Sequence, residues 1–179
     1  MKRLYLPFLL FLFLILEGVA LELLPAGLIM SDLLIVPHWV LVILLFISVF
    51  YDREYTYYSV LYAFIFGLLI DIVYTGILGV YMFSYAFVIY IIQGLRKLLH
   101  GNILVTLLLA VIGITLADLS INMIYSTVGL VDMLWADYLM SRLVPTILAN
   151  LLFLVFLYPV LMKPFASWGK EQLSGKKSF

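Results

Sequence analysis

The sequence predicts an all-α integral membrane protein, a bundle of six transmembrane helices with both termini in the cytoplasm. The first observation behind this is composition: 66% of the 179 residues are hydrophobic, 11% are charged and the mean hydropathy is +1.23, too apolar for a water-soluble domain. The second is length, because 179 residues hold about six helices of ~20 residues with short loops and leave no separate soluble domain. The third is the placement of lysine and arginine, which gives those helices a direction.

The chain therefore reads as one polytopic domain. Its first span, Leu4–Leu24, follows Lys2-Arg3 as a signal peptide would, but the apolar run is long and leads into further spans, so it reads as helix one. Pro25-Ala26-Gly27 breaks the chain before span two, Leu34–Phe50, and Asp52-Arg53-Glu54 ends that span. Span three, Tyr57–Tyr74, carries one carboxylate, Asp71, and is followed by Thr75-Gly76. Gly76 and Gly79 form a tight turn into span four, Ile77–Gln93. His100-Gly101-Asn102 precedes span five, Ile103–Tyr125. A polar stretch around Asp132 and Asp137 leads into span six, Tyr138–Met162, and the tail Lys163–Phe179 lies along the inner surface, its lysines at anionic headgroups.

With the N-terminus inside, the inner segments hold Lys2, Arg3, Arg53, Arg96, Lys97, Lys163, Lys170, Lys176 and Lys177, and Arg142 alone of the 10 basic residues lies outside. A five-span thread would strand the basic tail outside, so the count is even. Tyr55, Tyr57, Tyr58, Trp135, Tyr138 and Trp168 fall near the ends of spans, where aromatic residues form an interfacial belt.

The acidic residues gather at the other end. At ~1.5 Å per residue, Glu17, Asp71 and Asp118 come out about 20–25 Å from the cytoplasmic side, and Arg142 begins helix six at a similar depth. A charge in hydrocarbon costs about 2.5–3.5 kcal/mol, so such residues persist where a partner or a job offsets that cost. Thr115, Asp118 and Asn122 share one face of helix five, with Gly113 and Ala117 nearly opposite. Ala63 and Gly67 make a similar small-residue edge on helix three, one turn below Asp71. On helix six, Arg142, Thr146, Ala149 and Phe153 fall on one side, with Asn150 at its border. Three readings fit this cluster: hydrogen bonding between helices, a polar site for a small solute, and a docking surface for a transmembrane partner.

Enzymes find little support in the residues. There is no cysteine, hence no disulfide, thiolate metal site or cysteine nucleophile. His38 and His100 fall on opposite faces of the membrane, each at an interface, so they share no metal. No G-x-S-x-G, H-E-x-x-H or phosphate-binding loop is present. Asp71 and Asp118 lack the glycine-aspartate setting of an intramembrane aspartyl protease. No catalytic residue, cofactor or metal is expected. The zero net charge argues neither for nor against nucleic acid, and no nucleic-acid partner is expected of a chain with this charge pattern.

The stretch F-G-L-L-I-D-I-V-Y-T-G-I-L-G-V-Y-M-F, from Phe66 to Phe83, resembles the MreD family of rod-shape-determining proteins. S-R-L-V-P-T-I-L-A-N, from Ser141 to Asn150, is similar to that family's last helix, and the N-terminal M-K-R-L-Y-L-P-F and the six-span size fit as well. Together these cover essentially the whole length, with the closest likeness to the proteins of Gram-positive rods. The resemblance carries onto Gly67, Asp71, Leu78, Gly79 and Tyr81, then Arg142, Pro145, Thr146 and Asn150. It implies a non-enzymatic membrane subunit of the rod-shape complex, or elongasome, which supports lateral peptidoglycan synthesis. The implied partners are the single-span protein MreC, then the MreB filament, the RodA glycosyltransferase and a class B penicillin-binding transpeptidase. The family is also similar in architecture to the substrate-binding S subunits of energy-coupling-factor vitamin transporters, and a solute-binding subunit of such a transporter is the rival reading. On the scaffold reading, Asp71 and Arg142 brace the outer ends of helices three and six for the partner's helix, Pro145 opens a groove early in helix six, and Glu17, Asp118 and Asn122 complete the cluster.

Overall fold

The computed structural model describes residues 4–22, 33–53, 56–99 and 102–174. Lys2, Arg3, Pro25, Ala26, Gly27, Glu54, Tyr55, His100, Gly101, Lys176 and Lys177, all used above, lie outside the described residues.

The described residues form six helices: α1 (Tyr5–Glu22), α2 (Trp39–Phe46, continued by a wide turn Ile47–Tyr51), α3 (Tyr58–Ile70, continued by Asp71–Thr75), α4 (Val80–Arg96), α5 (Ile103–Thr127) and α6 (Trp135–Asp137, Tyr138–Leu143 and Val144–Ser174). Three stretches are long and apolar enough to cross a membrane: Tyr58–Thr75, Ile103–Thr127 and Trp135–Lys170. Tyr5–Ala20, Trp39–Tyr51 and Val80–Arg96 are shorter apolar helices.

The centre of the bundle is α2. Val40 through Ile47 are all at 0% exposure, surrounded by α1, α3, α5 and α6. The wall helices instead bury one stripe and turn the other outward: α1 buries Leu6, Leu10 and Leu14 while Phe8, Phe11 and Ile15 face out. This is the inverse of a water-soluble helix, because a lipid-facing surface needs no polar side chains.

The sequence predicts span two from Leu34, yet helical structure begins only at Trp39, and residues 33–38 have no regular secondary structure. Proline explains the difference: Pro37 disfavours helix at the residue before it and lacks an amide to hand on. The 13 helical residues Trp39–Tyr51 cover only about 20 Å, short of the ~30 Å hydrocarbon core.

The close α3–α4 packing rests on Gly67. A Cβ there would sit 2.7 Å from both the Met82 Cα and the Tyr81 carbonyl oxygen, so only glycine allows the two backbones to meet. Gly76 (φ 67°) and Gly79 (φ 102°) then turn the chain between these helices in the left-handed region that side chains resist.

At one end of the bundle, Asp52 follows α2 and caps α3. Its carboxylate accepts the amides of Tyr58 (3.2 Å) and Ser59 (2.9 Å) and the Ser59 hydroxyl. Burial pushes this carboxyl up to about 6, against the opposing pull of the Ser59 and Tyr58 donors and of the Arg96 charge. Arg96 donates to the Ser48 carbonyl (2.6 Å), and Arg53 Nε donates to the Gly169 carbonyl (3.0 Å), which pins the far part of α6 against the end of α2.

Candidate functional site

The opposite end holds the polar cluster. Asp118 on α5 is fully buried, and the Arg142 guanidinium grips it, Nη2 at 3.1 Å and Nε at 3.2 Å from Oδ1. Tyr138, from the same wide turn of α6, donates its hydroxyl to Oδ2 at 2.6 Å. A buried carboxylate stripped of water must be matched by nearby donors, and here one turn of one helix supplies a charge and a hydroxyl together.

His38 completes this group. Read from sequence as an interfacial residue, it is in fact at 0% exposure, with Nε2 3.6 Å from Asp118 Oδ1 and Nδ1 2.8 Å from the Tyr85 hydroxyl. The correction has a physical reason: the helix starts late, so His38 ends a non-helical segment that enters the bundle instead of beginning a helix at the surface.

That segment is held by α6 as though by a neighbouring strand. The Leu34 amide donates to the Ser141 carbonyl (2.7 Å) and the Val36 amide to the Thr146 hydroxyl (3.1 Å). Asn150 accepts the His38 amide (2.8 Å) and donates to the Val36 carbonyl (2.9 Å) and to its own helix at Thr146 (2.8 Å). Buried backbone outside a helix must find partners for its polar groups, and three positions on α6 supply them here. Thr146 and Asn150 are spaced i, i+4, one helical turn apart on the same face.

The carboxylate of Asp71 accepts the amides of Gly79 (2.8 Å), Tyr81 (2.9 Å) and Met82 (3.2 Å) at the start of α4. Arg142 goes to Asp118. Glu17 acts on α2 as Asp71 acts on α4: its Oε2 accepts the Val40 amide at 3.0 Å. Helix N-termini carry free amides and partial positive charge, so a carboxylate there gains charge-assisted hydrogen bonds. Each such bond is worth about 1.5–3 kcal/mol, so three offset the burial cost of one Asp71 charge. Counting Asp52 on α3, three buried acids each cap a following helix.

The remaining candidates fall around this frame. Gly67 and Gly79 set the α3–α4 geometry, Leu78 is exposed in the turn, and the Tyr81 ring lies 5.4 Å from Tyr85 and 6.5 Å from His38. Asn122, one turn beyond Asp118, is buried with its Oδ1 unpaired among the described residues. Pro145 follows the wide turn of α6. Sequence reasoning missed His38, Tyr85 and Tyr138; the run Pro37-His38 after an apolar stretch is the one signal that pointed to the first of them. Among the described residues no group of three or more His, Asp or Glu side chains is placed to hold a metal.

Residues 2–166 match the family model of the rod shape-determining protein MreD. The chain is also 33% identical over 151 residues to the rod shape-determining protein MreD of Bacillus subtilis strain 168, covering 84% of this chain and 86% of that one. No solved structure matches it. Proteins of this family are shape-determining structural proteins of the membrane, not enzymes, and take part in the rod-shape complex. This chain belongs to the MreD family.

Proposed function

We propose that the chain is a scaffold subunit of the rod-shape complex, threaded six times through the cell membrane with both termini cytoplasmic, that binds MreC and so supports lateral peptidoglycan synthesis by the assembly of MreB, RodA and the class B transpeptidase. The observation that carries this reading is how the outer polar residues are spent. Arg142 and Tyr138 serve Asp118, Asp71 serves α4, Glu17 serves α2, and Thr146 and Asn150 serve the non-helical segment 33–38. A solute-binding subunit keeps convergent polar groups for its ligand. Here they are turned on one another, which suits a rigid body that offers its outer faces to partners.

The test is co-purification of MreC with the full chain carrying Asp71→Asn or Asp132→Asn. Loss of one acceptor charge at the α4 N-terminus is expected to weaken MreC recovery and rod shape more than the change in the outer loop. Equal and negligible effects would sink the proposal. Native mass spectrometry with and without MreC addresses the rival, since a transporter subunit would carry a small solute stoichiometrically.

A further inference from the structure

We propose that the outward face of α4 holds an anionic phospholipid, its phosphate at Lys97 and an acyl chain along Tyr90, Phe87 and Phe83. This stands apart from the scaffold reading, which concerns the polar end of the bundle.

The positions 83, 87, 90, 94 and 97 recur at helical spacing and so form one stripe. Phe83 and Phe87 are each about half exposed, and their rings stack at 5.6 Å and 7°. Tyr90 is 58% exposed and stacks on Tyr57 of the preceding segment, with ring centroids 6.4 Å apart. The Lys97 ammonium lies over that same Tyr57 ring, 5.5 Å from its centroid. A cation–π contact of this kind biases the cation toward this position. Between Tyr90 and Lys97 the stripe carries Gly94, and a Cβ there would meet nothing within 4 Å. The result is a notch walled by two tyrosine rings and a cation, opening onto an aromatic track. From residue 83 to residue 97 the track runs about 21 Å, the reach of an extended acyl chain.

The ligand class follows from charge and relief. The notch presents a positive group and so suits a phosphate, and it lies at the same end of the bundle as Arg53 and Arg96. A transmembrane helix of a partner fits this face less well. Helices associate in lipid through small residues that let backbones approach, and for two turns the stripe offers only Phe83, Phe87 and Tyr90. A flexible acyl chain follows such a rugged surface.

The experiment is native mass spectrometry of the full chain released from nanodiscs of equal phosphatidylglycerol and phosphatidylcholine, for the wild type, Lys97→Gln and Gly94→Leu. Both residues are exposed, and the substitutions leave the packed core untouched. The wild type is expected to retain one phosphatidylglycerol in preference to phosphatidylcholine. Lys97→Gln should cut that preference about fivefold, the worth of one cation at a lipid surface. Gly94→Leu should remove the retained lipid by filling the notch. Unchanged phosphatidylglycerol selectivity in both variants overturns the proposal. So does a photo-crosslinker at Phe87, tested in cells, that captures a protein helix and no lipid.

Discussion

The amide of Leu34 donates to the carbonyl of Ser141 at 2.7 Å, and Pro145 is the reason that carbonyl has room for it. In an α-helix the Ser141 oxygen would take the amide of residue 145, which proline lacks. A helix-breaking residue in α6 thereby becomes the anchor of a non-helical segment more than one hundred residues away in the chain. Restoring the missing donor with Pro145→Ala should let α6 reclaim Ser141 and release Leu34, costing about 1 kcal/mol. Asn150→Leu should cost more, about 2–4 kcal/mol, because it orphans both the His38 amide and the Val36 carbonyl. The chain has no cysteine, so a single cysteine placed at Leu34 reports the release directly: its labelling rate should rise in both variants and stay at the parent value in Leu148→Ala on the outer face of α6.

The Asp118–Arg142 pair makes a second prediction. Removing the cation alone leaves a fully buried carboxylate with only the Tyr138 hydroxyl and the His38 ring beside it, at a cost of about 3 kcal/mol. Arg142→Ala combined with Asp118→Asn should recover a large part of that loss, since the amide still accepts from Tyr138 and carries no charge. Thermal melting of the four forms in one detergent gives the coupling. Strict additivity of the two single changes would mean that the pair contributes nothing as a pair.

The sequence made the gathering of Glu17, Asp71, Asp118 and Arg142 at one end legible, because charges are rare enough in this chain for their depth to be read from helix length alone. It left their partners illegible. Which acid meets Arg142 depends on helix rotation, and α2 carries no rotational signal: its residues Trp39–Phe46 are uniformly apolar, so no face stands out. The capping roles of Glu17, Asp52 and Asp71 were hidden for a related reason. A local cap announces itself just before its helix, as Asn102 does by accepting the Val105 amide at 2.8 Å. Glu17 caps from the preceding helix, and Asp71 reaches across a turn of glycines, so neither fits the short spacing by which caps are found. The late start of α2 was marked by Pro37, but a purely apolar run reads as one span until tertiary partners such as Thr146 and Asn150 are known.

Asp52 adds a dependence on pH. Its carboxyl stands at about 6 in the folded protein against 3.8 ordinarily, raised by burial. Between those values the folded state binds more protons than the unfolded one, so the stability contributed by this group falls as pH rises through the window and is recovered on acidification. The melting temperature of the wild type relative to Asp52→Asn should therefore climb between about pH 7 and about pH 4. A difference that shrinks over this range would show that the carboxylate, once ionised, is better satisfied than its burial implies.

Two glycines on helices of this bundle should respond in opposite ways to the same change. Gly67→Ala drives a methyl group to within 2.7 Å of the α4 backbone at Met82 and Tyr81, atoms that cannot rotate aside. Overpacking of this kind typically costs about 1–3 kcal/mol, and here the displacement falls on residues whose amides, Tyr81 and Met82, bind Asp71. Gly94→Ala meets open space within an ordinary helix, and replacing glycine by alanine there should stabilise by about 0.5–1 kcal/mol. Melting temperatures of the two variants therefore move apart around the wild type. On the proposed scaffold role, recovery of MreC falls with Gly67→Ala and holds with Gly94→Ala, even when both proteins are assayed well below their melting points.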